Sequence, residues 1–119
     1  MASSADGNTV AFAYVNSSGV KIRIYGYASG AWAQLGSEIS TTGTTVSIDL
    51  SDNGSTLAVL SSDTGRVYVY NSIVWFQLGS SIAFRPTGID TIKIDGNGNY
   101  VALGNNAPSD PYPFNILRV

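Results

Sequence analysis

The sequence predicts an all-β fold made of repeated units of four short antiparallel strands. Its 119 residues include a single Glu and a single Met, whereas Ser, Thr, Asn, Gly and β-branched residues are abundant. Such a composition favours strands and tight turns over helices, and no stretch has a sustained helical periodicity. Related strings also recur at offsets of 47 and 44 residues, close to the spacing of repeat units built from four strands.

The first repeated string occurs three times and places a turn before the second strand of each unit. Each copy has Asp or Asn next to Gly, followed by an apolar stretch that contains Ala. Such pairs readily adopt the positive φ angles of tight turns. The three copies are Asp6–Phe12, Asn53–Val59 and Asn97–Leu103.

Two further strings recur later in the units. One begins with Trp and contains Gln-Leu-Gly-Ser, and the other is a run in which apolar residues alternate with other side chains. Together they predict three units, at about 1–43, 44–86 and 87–119. The matching strings are Trp32–Ile39 with Trp75–Ile82, and Val20–Tyr25 with Arg66–Tyr70 and a partial copy at Phe114–Val119.

The middle unit contains four predicted strands joined by short turns. In its first strand Val46, Ile48 and Leu50 lie on one face, which is the alternation of a half-buried strand. Turns rich in Ser, Asp, Asn and Gly separate the strands and predict an antiparallel meander. The predicted strands are Thr45–Leu50, Thr56–Leu60, Arg66–Tyr70 and Val74–Leu78, with turns at 51–54, 63–65 and 71–72.

An Ala occupies the same place in the second strand of every unit, at Ala11, Ala58 and Ala102. Three matches in register are not expected from the abundance of Ala alone. A small side chain allows neighbouring sheets to approach each other where little volume is available. We therefore expect these residues to lie where the sheets come closest.

The middle unit resembles a β-propeller blade. Its string SIDLSDNGSTLAVLSSDTGRVYVYN resembles the S-x-D-G-x-x-L-A-x-x-S…D-G-x-V-x-V-(W or Y) pattern of WD-type blades, and the following W-x-Q-L-G-S-x-I is similar to integrin-alpha-like (FG-GAP-like) repeats. The Gly-His and Trp-Asp dipeptides of WD repeats are absent, and the Asp-rich calcium loop of integrin-type blades is not intact. The resemblance implies a β-propeller of four-stranded antiparallel blades and no particular activity, because propellers host many functions.

A chain of about 2.7 blades is too short to close alone, since closed propellers contain about four to eight blades. Two interpretations are open: the chain is a fragment of a longer repeat protein, or identical chains assemble into a ring. We favour a homodimer with about six blades over a trimer with about eight or nine. In the last unit, Gly104–Pro113 is predicted to form a surface loop, because Pro cannot donate a ladder hydrogen bond.

Composition argues against several classes of function. The net charge is −2 and the six Lys and Arg residues are scattered, so we expect no binding to nucleic acid or to an anionic membrane surface. The sequence has no Cys and no His, so we expect no disulfide, no cofactor and no catalytic activity. No signal peptide is visible, which makes the cytoplasm the default location.

Aromatic residues at repeated positions are the candidate ligand-binding residues. The aromatic rings could stack on a sugar, as in lectins, or pack between neighbouring blades. The identical repeat position of the two Trp residues favours packing. The candidates are Trp32, Trp75, Tyr25 and Tyr70.

A weaker candidate for a metal site is the string that contains Asp95, Asn97 and Asn99. These residues have the alternate spacing of an oxygen-ligand calcium loop. The later carboxylates of such a loop are missing, and the string aligns with the first turn of the middle unit. A turn between two strands is therefore the favoured interpretation.

The sequence thus predicts a non-catalytic binding or scaffolding module that assembles with itself. Loops and blade faces of a rigid ring would present Tyr, Asn, Ser and Asp to a protein or a glycan ligand. One alternative is a lectin-like propeller with glycan sites between its blades. Another is an engineered or ancestral-like propeller fragment whose main property is assembly.

Overall fold

A computed structural model describes residues 1–62, 64–83, 89–105 and 114–119. This part of the chain contains strands and no helix, which confirms the all-β prediction. The strands are β1 (Ala2–Ser3), β2 (Thr9–Asn16), β3 (Gly19–Ala28), β4 (Ala31–Gln34), β5 (Ile39–Thr41), β6 (Val46–Leu50), β7 (Thr56–Ser61), β8 (Thr64–Tyr70), β9 (Trp75–Gln77), β10 (Ile82–Ala83), β11 (Ile89–Ile94), β12 (Tyr100–Asn105) and β13 (Phe114–Arg118).

The strands form three antiparallel sheets, each a meander of neighbours in sequence. Sheet 1 runs β1-β2-β3 with β4 and β5 both paired to β3, and sheet 2 runs β6-β7-β8 with β9 and β10 both paired to β8. Sheet 3 runs β11-β12-β13. Sheets 1 and 2 therefore have the order of four-stranded blades, and sheet 3 has the first three strands of one.

The fourth strand differs from the prediction because it is divided into two short pieces. The predicted Val74–Leu78 pairs only over Trp75–Gln77, and a second piece, Ile82–Ala83, returns to the same neighbour. Gly79 lies between the pieces with a φ of 72°, and Gly36 has a φ of 69° at the same place in sheet 1. This left-handed conformation suits Gly and interrupts the extended chain, so the Leu-Gly string marks a break within the strand.

Two apolar clusters hold the three sheets together. The first joint, between sheets 1 and 2, buries side chains from β2, β3, β6, β7 and β8. The second joint, between sheets 2 and 3, buries Ala58, Leu60 and Val67 against residues of β11 and β12. The fully buried residues of the first joint are Ala11, Val20, Ile22, Ile24, Leu57 and Val59.

The turn between the first two strands has the same hydrogen bonds in all three sheets. Ser4 Oγ accepts from the Thr9 amide at 3.0 Å, and Ser51 Oγ accepts from the Thr56 amide at 3.1 Å. In sheet 3 the carboxylate of Asp95 replaces the hydroxyl and accepts from the Tyr100 amide at 2.7 Å. A short oxygen-bearing side chain at this position therefore closes the turn in each unit.

Side chains of β6 in sheet 2 bind the main chain of β11 in sheet 3. The Ile92 amide donates to Ser47 Oγ at 3.3 Å, and the Ile94 amide donates to Asp49 Oδ2 at 2.9 Å. Because these short side chains reach the main chain of the next sheet, sheets 2 and 3 are close together along β6 and β11. Asp49 thus provides a hydrogen-bond acceptor for the part-buried Ile94 amide, which is not paired within sheet 3.

Replacing Asp49 with Ala is expected to lower the free energy of unfolding by about 1 kcal/mol, because the part-buried Ile94 amide loses its acceptor. Asp49→Asn keeps an acceptor oxygen and is the matched control, with a smaller expected loss. Urea unfolding followed by circular dichroism measures both. Equal stability of Asp49→Ala and the parent chain would contradict this assignment.

The repeated Ala residues lie on the same side of each second strand. Ala11 and Ala58 are fully buried in the first and second joints, and Ala102 is half-buried on the outward face of sheet 3. Of the loop predicted at Gly104–Pro113, Gly104 and Asn105 continue β12. Its remaining residues, 106–113, and Asp63 of the predicted second turn lie outside the described residues.

Candidate functional site

Trp75 lies between sheets 1 and 2, as the packing interpretation of the repeated Trp expects. Its indole Nε1 donates to the Leu35 carbonyl oxygen at 3.0 Å. Its ring stacks on Tyr70, with centroids 5.1 Å apart and planes at 27°. The side chain packs against the apolar cluster of the first joint. The aromatic rings of Trp75 and Tyr70 therefore contact each other and the first joint.

The main chain at Gly36 lies close to the indole ring of Trp75. A Cβ on Gly36 would lie 3.0 Å from Trp75 Cδ1, and the φ of Gly36 is positive as well. Glycine therefore allows the Leu-Gly segment of sheet 1 to approach the ring. Tyr68 belongs to the same joint, and its burial raises the pKa of its phenol although the charge of Arg66 acts in the opposite direction.

Trp32 occupies the same repeat position in sheet 1, but its surroundings differ. The side chain is 52% exposed and contacts Tyr27, with ring centroids 5.3 Å apart. With Val10, Phe12 and Tyr25 it lines an open groove of about 370 Å³ on the outer face of sheet 1. Trp32 and Tyr25 are thus brought together on the outer face of sheet 1, while Trp75 and Tyr70 lie on the opposite side of sheet 1, in the first joint.

An ion pair on the outer face of sheet 1 organises three side chains. Arg23 Nε donates to Glu38 Oε2 at 2.6 Å, and the Tyr14 hydroxyl donates to the same oxygen at 3.0 Å. The hydrogen bond from Arg23, followed by that from Tyr14, lowers the pKa of Glu38. The same contacts with Glu38 raise the pKa of Arg23 and of Tyr14. Arg23 and Tyr14 are exposed and Glu38 is partly exposed, so this network positions side chains more than it stabilises the fold.

A cavity of about 410 Å³ opens in the second joint, beside the edge of β13. Its walls are mainly apolar and come from sheet 2 and from the last residues of the chain. Six of the residues that line it are Val67, Leu78, Gly79, Ile82, Val101 and Leu117. This cavity was not predicted from the sequence, because its walls come from two sheets whose residues lie far apart in the chain.

The string with the candidate metal ligands forms the first turn of sheet 3. Asp95 Oδ1 accepts hydrogen bonds from the amides of Asn99 and Tyr100, both at 2.7 Å. In sheet 1 the equivalent turn uses Asp6, whose pKa is lowered by hydrogen bonds from the Asn8 amide and from Ser4. No three or more His, Cys, Asp or Glu side chains come together among the described residues. The string forms the turn that the sequence favours, and metal binding by Asp95, Asn97 and Asn99 stays its weaker, untested alternative.

Comparison with known proteins identifies a fold and no family. No protein-family model and no curated protein matches the sequence. The chain is similar to the solved structure of KlHsv2 with loop 6CD replaced by a Gly-Ser linker, a propeller-type protein, with a TM-score of 0.55 and 18% identity. The match covers 98% of this chain and 42% of that structure, so the chain spans less than half of its length.

Among the described residues, no helix of the length and apolarity that a bilayer crossing requires is found. The structural similarity and the antiparallel four-stranded order of sheets 1 and 2 agree on the same architecture. The chain has an all-β fold consistent with part of a β-propeller.

Proposed function

We propose that this chain is a non-catalytic propeller module for binding or scaffolding, which assembles with itself through its two outer blade faces. The favoured assembly is a closed ring of two chains. The observation that carries the proposal is the exposure, on both outer faces, of side chains whose repeat equivalents are buried inside the joints.

The outer face of sheet 1 carries apolar positions that are buried in the other two sheets. Phe12 is 47% exposed, whereas Val59 and Leu103, at the same repeat position, are fully buried in the first and second joints. Tyr25 and Tyr68 are a similar pair, since Tyr25 is half-buried and Tyr68 is buried. A second blade on this face would remove these aromatic side chains from water.

The outer face of sheet 3 shows the same contrast. Ile116 is 61% exposed, whereas Ile24 and Val67, at the same repeat position, are buried. Tyr100 on the same face is also exposed. The two outer faces are therefore the two halves of a blade-to-blade joint, and one copy of the chain could supply each half to another.

A series of main-chain hydrogen bonds links the first turns of successive sheets. The Ala5 amide donates to the Asp52 carbonyl at 2.9 Å, and the Asp52 amide donates to the Gly96 carbonyl at 2.9 Å. The next step of this series would run from the Gly96 amide to the Ala5 carbonyl of a second copy. The pattern thus supports continuation of the ring in a fixed register.

The non-catalytic part of the proposal rests on chemistry. The sequence has neither His nor Cys, and three of its carboxylates, Asp6, Asp49 and Asp95, accept main-chain hydrogen bonds. Groups held in this way stabilise turns and joints. They are poorly placed to act as general acids or bases.

Sedimentation velocity at micromolar concentration tests the assembly. We expect a mass of two chains, which falls to one chain when Phe12→Lys or Ile116→Lys places a charge in the joint. Ser18→Lys, on the exposed β2–β3 turn, is the control and should keep the parent mass. A mass of three chains would replace the dimer by the trimer, and a stable monomer would overturn self-assembly.

A second candidate function is binding of a glycan in the groove of Val10, Phe12, Tyr25 and Trp32, because exposed aromatic rings stack on sugar faces. This candidate needs sheet 1 to keep its outer face open, whereas self-assembly covers that face. A glycan array distinguishes them. Binding that is lost in Trp32→Ala supports the lectin-like function, and an array without signals removes it.

A further inference from the structure

We propose that the cavity in the second joint is a docking site for an extended segment that carries a Trp and adds to the edge of β13 as a fourth strand. This inference rests on the proposed binding function, since it names the chemical class of one partner. The occupant is identified by the first joint, where the equivalent space contains Trp75.

The lining of the cavity matches the surroundings of Trp75. Val67, Leu78 and Ile82 stand at the repeat positions of Ile24, Leu35 and Ile39 in sheet 1. The Leu35 and Leu78 amides make equivalent hydrogen bonds, to the Ile24 and Val67 carbonyls, both at 2.7 Å. The main chain at Leu78 is therefore oriented as it is at Leu35, whose carbonyl accepts the indole N–H of Trp75.

The opposite wall is equivalent as well. Val101 pairs with Leu117 in sheet 3 as Leu57 pairs with Tyr68 in sheet 2. Two residues further along, Val119 stands where Tyr70 stands in sheet 2. Because Tyr70 is the register partner of Trp75, a fourth strand on β13 would place its Trp opposite Val119, beside the Leu78 carbonyl.

The edge of sheet 3 offers the main-chain groups that such a strand needs. Within the described residues β13 pairs with β12, whereas β3 and β8 each pair with both pieces of a fourth strand. An extended peptide that adds to a sheet edge gains main-chain hydrogen bonds, and a pocket for one side chain gives specificity. The mainly apolar walls of the cavity favour an indole over a charged or sugar ligand.

The test uses a fluorescently labelled peptide, AWAQLGSEI, which has the sequence of residues 31–39. Its binding to the 119-residue chain is followed by fluorescence anisotropy at chain concentrations below those at which sedimentation detects self-association. We expect saturable binding that weakens at least ~10-fold when the peptide Trp is replaced by Ala, as for a buried Trp anchor. Hydrogen exchange of the β13 amides should slow when the peptide is bound.

Two variants of the chain localise the binding. Ser80 is exposed and lines the cavity, so Ser80→Arg should block the peptide without unfolding the protein, and Ser18→Arg should bind normally. No binding at millimolar peptide, equal binding of the Ala peptide, or unchanged binding to Ser80→Arg would each overturn the proposal. The peptide is tested on the unassembled chain, so the two proposals can fail separately. If the chain binds the peptide but stays a monomer in sedimentation, self-assembly alone is overturned. If the chain assembles in sedimentation but does not bind the peptide when dilute, docking alone is overturned.

Discussion

Replacing Trp75 with Ala is expected to lower the free energy of unfolding by about 3 kcal/mol, toward the low end of the range for large aromatic residues because the side chain is only partly buried. The substitution removes a bulky ring from the first joint, its stacking on Tyr70 and its hydrogen bond to the Leu35 carbonyl. The Leu35–Gly36 segment would then face an empty space that the sheets can fill only by shifting.

Trp32 provides a matched control, because it is the same residue at the same repeat position, and no other sheet of the described residues packs on it. Its side chain is mostly outside the core, so Trp32→Ala should change the stability of the isolated chain by less than about 0.5 kcal/mol. Urea unfolding of both variants by circular dichroism provides the comparison. Equal losses would show that Trp75 has no special role in the joint.

The same pair also reports on assembly. If the outer face of sheet 1 is covered by a second copy, Trp32 becomes an interface residue, and Trp32→Ala should weaken the assembly in sedimentation although it leaves the chain folded. Trp75→Ala should instead act on the fold itself. The two substitutions thus separate stability within a chain from contact between chains.

Much of the fold follows from local patterns in the sequence. Turns with Asn-Gly and alternating strands depend on nearest neighbours, and the predicted Thr56–Leu60 and observed Thr56–Ser61 differ by one residue. The divided fourth strand was missed because the Gln-Leu-Gly string looks like the end of a strand. Only the return of Ile82–Ala83 to β8 shows that the pairing resumes.

The candidate site was less predictable because it depends on contacts between sheets. Trp32 and Trp75 have nearly the same local sequence, yet one is mostly exposed and the other packs in a joint. The hydrogen bonds that Ser47 and Asp49 accept from amides of β11 each join residues 45 positions apart, and no periodicity within one strand reveals them. The cavity beside β13 is likewise defined by two sheets together.

Replacing Ala58 with Ile is expected to lower the free energy of unfolding by about 2 kcal/mol, because added carbons overpack a closely packed core. Ala58 is fully buried in the second joint and lies next to Asp49 in the sheet register. Since Asp49 accepts a hydrogen bond from the main chain of β11, sheets 2 and 3 lie close together beside Ala58, and a larger side chain there would press on β11. Unfolding in urea measures the loss.

Ala102→Ile is the control, because Ala102 has the same repeat position on the outer face of sheet 3, where the structure places no further sheet among the described residues. Its stability should change by less than about 0.5 kcal/mol. If Ala58→Ile has the same free energy of unfolding as the parent chain, close approach of the sheets does not explain the repeated Ala. If the parent chain is a dimer and Ala102→Ile folds normally but sediments as a monomer, a larger side chain on the outer face of sheet 3 prevents contact with a second copy. That face then has the same packing constraint as an internal joint, which is the physical requirement for closing a ring from copies of this chain.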